Sequence, residues 1–89
     1  MIRAALCGGD ELARAAVTLG LVVSEDEAQV AILDLRDLSA LEPAARLPPQ
    51  LPRIVVAPEE HLPLLRALGI APHAITASCE PAALGPLVA

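Results

Sequence analysis

Hydrophobic positions in this chain follow two rhythms that alternate. Short runs rich in apolar residues occur at Ile2–Cys7, Leu21–Val23, Val30–Asp34, Arg53–Ala57 and His73–Ala77, and each has the length of a strand. Between them the apolar residues recur at helical spacing. Leu12, Ala15, Ala16 and Leu19 share one face of a helix over Glu11–Leu19, with Glu11, Arg14 and Thr18 opposite. The run Val30-Ala31-Ile32-Leu33-Asp34 is apolar on both sides until it ends on a carboxylate. That pattern suits a central parallel strand covered on two faces.

The punctuation supports this order. Gly8-Gly9 breaks the first strand, Asp10 reads as a helix N-cap, and Gly20 is the expected stop. Ser24–Gln29 leaves only six residues between the second and third strands, where a parallel crossover usually takes a dozen or more. Ser39 and Glu42 form a capping-box pattern, and Pro43 limits a helix within Asp37–Leu47 to about two turns. Pro48–Pro52 is a stiff loop. A helix is expected over Glu59–Leu68, with Pro63 in its first turn, Leu64, Leu65 and Leu68 toward the core, and Gly69 as its stop. Ser78 is placed to cap a last helix carrying Pro81 in its first turn. Gly85-Pro86 is expected to interrupt that helix, which reads as cut off. The chain is therefore expected to be one domain over residues 1–89, the N-terminal part of a longer protein. The alternation predicts a three-layer α/β/α, flavodoxin-like parallel sheet with strand order 2-1-3-4-5 and a shortened second crossover.

Composition narrows the function. Hydrophobic residues make up 55% of the chain and none is aromatic, so the core is built from Leu, Ile, Val and Ala, and base-stacking platforms are excluded. A net charge of -5 argues against a phosphate-backbone partner. No apolar run approaches a membrane span, and the N-terminus lacks a signal-peptide pattern, so a cytoplasmic protein is expected. Cys7 and Cys79 are expected to be buried and unbridged. With His61 and His73 as the other good ligands, at no metal-binding spacing, no metal site is expected.

Asp34 is the residue on which the functional reading turns, because reacting groups collect at the carboxyl ends of parallel strands. The stretches AQVAILDLRD, RIVVAPEEHLPLLRALGI and AITASCEPAALGPLV occur in an order and spacing that resemble the receiver domain of two-component response regulators, over essentially the whole chain. The resemblance implies that Asp34 stands where receivers accept a phosphoryl group. It also implies that the rest of the chemistry is missing. The positions of the family's magnesium-binding acidic pair are Cys7 and Gly8. Its hydroxyl residue aligns with Ala57 and its lysine with Ala77, and the aromatic switch residue has no counterpart. Phosphoryl transfer needs charge neutralisation by metal and cation. The expectation is a pseudo-receiver in which Asp34 is vestigial, bonded to nearby backbone N–H groups or to Arg36.

Other residues carry weaker readings. Cys7-Gly8-Gly9 sits where a strand meets a helix, and a thiol there resembles the cysteine of sugar-uptake phosphocarriers, without their hydroxyl residues. Gly8-Gly9 lacks the dinucleotide fingerprint. His61 and His73 are read as structural, and Glu25-Asp26-Glu27 as a solvated turn. Leu62, near Arg66, falls off the expected leucine face. With Ile75 of the fifth strand it outlines a possible interface, since intact receivers commonly pair through their fourth helix, fifth strand and fifth helix. The function expected is therefore non-catalytic and cofactor-free: a regulatory, protein-interacting domain that self-associates or contacts the rest of its chain. By resemblance, that chain is a transcriptional regulator or a partitioning-type ATPase. The alternative is a small cysteine phosphocarrier or anion-binding enzyme module using Cys7, Gly8 and Gly9.

Overall fold

A computed structural model describes residues 2–24, 26–36, 42, 46, 50–70 and 73–88. In chain order its elements are β1 (Arg3–Cys7), α1 (Asp10–Thr18), β2 (Val22–Val23), β3 (Val30–Asp34), β4 (Arg53–Val56), a 3-10 turn (Glu59–His61), α2 (Leu62–Ala67), β5 (Ala74–Thr76) and α3 (Pro81–Val88). The five strands form one parallel sheet in the order β2-β1-β3-β4-β5, a flavodoxin-like α/β arrangement. Cys7 pairs with Leu33, Asp34 with Val56, and Val56 with Thr76, so the carboxyl ends of the four longer strands finish along one rim.

Two apolar layers follow from strand alternation. Ala4, Ile32, Ile54 and Val56 pack against Leu12 and Ala15 of α1 and Leu84 of α3. Ala5, Ala31, Leu33, Leu35 and Val55 pack on the other face with Leu65 of α2, Leu51 and Ile70. The central strand β3 supplies both layers, which is why its sequence is apolar without alternation. Ala31, Ile32 and Leu33 are all fully buried. Among the described residues, no helix is long and apolar enough to cross a membrane.

The six-residue crossover works because β2 stops where β3 begins. Val23 pairs with Ala4 of β1, and Ala4 also pairs with Val30. No axial distance has to be retraced. The chain needs only to pass over β1, two strand spacings or about 10 Å, and six residues reach roughly 20 Å. Both ends of the connection are fixed on β1: Ser24 donates its N–H to the Ala4 carbonyl and Gln29 to that of Arg3. Ala28 packs into the α2-side layer, so the connection crosses on the face opposite α1.

The helix stops at Gly20 and Gly69 are as the sequence indicated. Both have positive φ, 73° and 79°, a conformation natural to glycine. Leu21 N–H returns to the Ala16 carbonyl and Ile70 N–H to that of Leu65, which closes each helix end in the same way.

Four expectations are corrected. Asp10 is the first residue of α1, not its cap; Gly9 occupies the cap position, and Asp10 contributes a carboxylate to the positive first turn. Ser78 does not cap α3, because its hydroxyl accepts the N–H of Glu80 ahead of the helix. Gly85-Pro86 does not interrupt α3, which runs through to Val88. Pro86 lies in the last turn, where one lost backbone bond is outweighed by burial of Leu84 and packing of Leu87 and Val88.

The fourth correction concerns α2. Its inward stripe is His61, Leu62 and Leu65, at i, i+1, i+4 spacing, rather than the equally helical stripe Leu64, Leu65 and Leu68. Leu65 alone is fully buried, Leu62 is half-buried, and Leu64 and Leu68 are exposed. Leu62 is therefore not the leucine that stands off the core, and Ile75 also packs partly against the α2-side layer. Of the Asp37–Leu47 stretch only Glu42 and Arg46 are described, and they form an ion pair at 2.8 Å; the capping box at Ser39 lies outside the described residues.

This face assignment is testable by denaturation. Leu65→Ala should cost about 2–5 kcal/mol as a buried truncation, whereas Leu68→Ala should stay within about 0.5 kcal/mol. Urea unfolding followed by far-ultraviolet circular dichroism suits a chain without aromatics, and equal losses at the two positions would contradict the assignment.

Candidate functional site at the carboxyl end of β3

The register brings Asp34 to the rim, next to the turn from β1 into α1. Its side chain is only 12% exposed. Two residues later the chain has left the strand, and the side chain of Arg36 folds back over it. Arg36 Nε donates to Asp34 Oδ1 at 2.9 Å and Nη2 to Oδ2 at 2.8 Å, a two-pronged pair. The Arg36 backbone N–H adds a third bond to Oδ1 at 3.3 Å. This is the engagement of Asp34 by Arg36 that the sequence suggested.

Two further side chains complete the cluster. Glu11, in the first turn of α1, accepts from Arg36 Nη1 at 3.3 Å and lies 3.3 Å from Nη2. Cys79, on the approach to α3, is buried, and its Sγ lies 3.2 Å from Arg36 Nη2 and 3.5 Å from Asp34 Oδ2. One guanidinium thus ties β3, α1 and the segment before α3 together. The sequence offered no spacing that would connect Glu11 or Cys79 to Asp34. Only the topology does so, by returning every strand–helix turn to the same rim.

The electrostatics follow from these contacts. The Arg36 guanidinium holds the Asp34 carboxyl below its ordinary value, against the opposing effect of burial, and the Arg36 backbone N–H helps. The bonds to Asp34 and then Glu11 raise Arg36. Burial, followed by the nearby Asp34 charge, pushes the Cys79 thiol up to about 11. At neutral pH Cys79 is therefore a protonated thiol donating to a carboxylate, the opposite of an activated nucleophile.

Gly8 explains how Asp34 fits. A Cβ at Gly8 would sit 2.8 Å from the Asp34 Cβ and 3.0 Å from Leu12 Cδ2. The backbone of the β1–α1 turn is packed directly on Asp34, and a carboxylate at position 8 has no room. Cys7 points elsewhere. It is half-buried against the α2-side layer, whereas α1 covers the other face. Gly9 is open, with nothing within 4 Å of its Cβ position.

The remaining sequence candidates stand apart. His61 Nδ1 lies 3.2 Å from the Leu35 carbonyl, and His73 Nδ1 accepts the Arg53 N–H at 3.2 Å, both contacts to backbone. Arg66 is exposed on α2. Among the described residues, no three His, Cys, Asp or Glu side chains gather in a way that would hold a metal ion. No protein-family model matches the chain, and no curated protein or solved structure is significantly similar to it.

Two measurements probe this cluster. The folded Asp34 titrates below its unfolded value of 3.8, so its ionised form stabilises the fold at neutral pH. That stability is present above the unfolded pKa and is lost as pH falls through the folded one. Asp34→Asn should therefore lower the urea midpoint clearly at neutral pH, with the gap from wild type closing below about pH 4. A gap independent of pH would mean that the charge is not what matters. Separately, Gly8→Ala should cost about 1–3 kcal/mol, because the atom it meets is the first of the Asp34 side chain and cannot swing aside.

Proposed function

We propose that this domain is a non-catalytic regulatory unit that acts by contacting protein, resembling a response-regulator receiver whose acceptor aspartate has become a structural anchor. The observation that carries this reading is the occupation of both Asp34 oxygens by Arg36. A carboxylate held this way is not available as a nucleophile toward a phosphoryl donor. The groups that would stabilise such a transfer are absent at the matching positions, where Cys7, Gly8, Ala57 and Ala77 stand. An internal guanidinium takes the place that a cation would otherwise fill, so the rim is held in one state without a ligand.

The contact surface best suited to a protein partner in this reading is α2. Leu64 and Leu68 lie one turn apart and are exposed, with Arg66 beside them. The partner is the rest of a longer parent chain, in the manner of a transcriptional regulator or a partitioning-type ATPase. The reading places the protein in the cytoplasm, with no direct contact to nucleic acid or membrane.

Incubation with acetyl phosphate and magnesium, followed by intact-mass spectrometry, should give no phosphoryl adduct on the wild type. Arg36→Ala, which uncovers Asp34, should give none either, because magnesium still lacks its acidic ligands. An adduct that disappears in Asp34→Asn would overturn the non-catalytic reading.

A further inference from the structure

The two histidines meet opposite kinds of backbone group. His73 Nδ1 lies 3.2 Å from the Arg53 backbone nitrogen, whose N–H can only donate, so the ring nitrogen accepts and carries no proton. The neutral ring is therefore the Nε2–H tautomer. His61 Nδ1 lies 3.2 Å from the Leu35 carbonyl oxygen, which can only accept, so there the same ring nitrogen donates. An imidazolium has two N–H donors and no acceptor. Protonation thus preserves the His61 contact and abolishes the His73 one.

The His73 bond lies where the sheet has little else to hold it. β5 is an edge strand of three half-exposed residues, paired only with β4. The ladder between them begins at Ile54 and Ala74, so the Arg53 N–H comes one position before the first paired residue. The ring nitrogen supplies the acceptor there, in the manner of a backbone carbonyl. In return the His73 N–H donates to the Arg53 carbonyl at 2.9 Å, so two bonds clasp the amino ends of the strands. His73 is exposed, and protons reach it directly from solvent. The charged groups on the neighbouring elements offer an imidazolium no compensation. β4 contributes Arg53 and α2 contributes Arg66, both cations, and α3 carries no charged residue. Glu59, Glu60 and Glu80 follow the carboxyl ends of β4 and β5, at the other end of the sheet. Among the described residues, no ion pair involves His73.

We infer that His73 is a pH-sensitive latch on the amino end of β5, closed while its ring is neutral and released when the ring takes up a proton. Histidine changes charge between about pH 5 and 8. The latch therefore opens on mild acidification, above the range in which the Asp34 carboxyl, held below 3.8, is protonated. The rim at the other end of the sheet stays as it is. The release is local: β5 keeps the bond from the Ala57 N–H to the Thr76 carbonyl and frays from its amino end. This inference is independent of the proposed function, since it uses neither Asp34 nor the exposed leucines of α2.

NMR on the whole chain labelled with nitrogen-15, between about pH 8 and pH 5, tests it. At the upper end the imidazole nitrogen shifts should show the Nε2–H tautomer at His73. Toward the lower end the Arg53 amide should lose protection about two- to tenfold, the worth of one neutral hydrogen bond, after correction for the intrinsic pH dependence of exchange. The amides of β1 should keep theirs. His73→Asn places a side-chain oxygen close to where Nδ1 stands, and that oxygen does not titrate. The variant should keep the Arg53 amide protected and remove its response to pH. An Nδ1–H tautomer in the neutral wild type would overturn the inference without any variant. So would an Arg53 amide whose protection ignores pH, or a response to pH that persists in folded His73→Asn.

Discussion

The ion pair between Asp34 and Arg36 governs the top of this molecule. A parallel sheet delivers every strand–helix turn to one rim, and those turns carry polar backbone and side chains that must be reconciled with the buried strands beneath. Here one guanidinium does most of that work. It binds the least exposed carboxylate of the cluster through two parallel bonds, reaches Glu11 at the start of α1, and contacts the Cys79 sulfur ahead of α3. The exposed link to Glu11 contributes little by itself, as surface ion pairs do. The shielded link to Asp34 matters more, because breaking it would leave a carboxylate in a site from which water is largely excluded.

Gly8 is the steric counterpart of that electrostatic arrangement. With no Cβ at this position, the β1–α1 turn lies directly against Asp34. The absence of a side chain at Gly8 and the presence of the Arg36 guanidinium over Asp34 are sterically compatible. A rim that admits a carboxylate at position 8 needs more space, and a rim closed by Arg36 has none to give.

Much of the fold was legible in the sequence, for identifiable reasons. The central strand could be placed because Val30–Asp34 is apolar on both faces, and the helix stops because Gly20 and Gly69 are needed at positive φ. The Asp34–Arg36 contact was legible because the two residues are close in sequence. Glu11 and Cys79 were not, because their approach depends on the crossover geometry and leaves no trace in local spacing. The face of α2 is not legible in the sequence because its leucines support two overlapping helical stripes, Leu64-Leu65-Leu68 and His61-Leu62-Leu65, and the structure buries the second. The continuity of α3 through Pro86 was missed for a similar reason: local propensity argued for a break, and burial of Leu84 prevailed.

The short crossover has a consequence for how the sheet assembles. By the time Asp34 has been synthesised, three of the five strands exist, and they pair only with one another and with β4 on a single side. The connection from β2 to β3 fastens at both ends to β1, so the first strand made is enclosed by neighbours that follow within some thirty residues. Such short-range pairing lowers the entropy of closure and favours early formation. The amino-terminal half is thus suited to serve as a template during vectorial synthesis, onto which β4 and then β5 are added in sequence order, each beside the strand made before it.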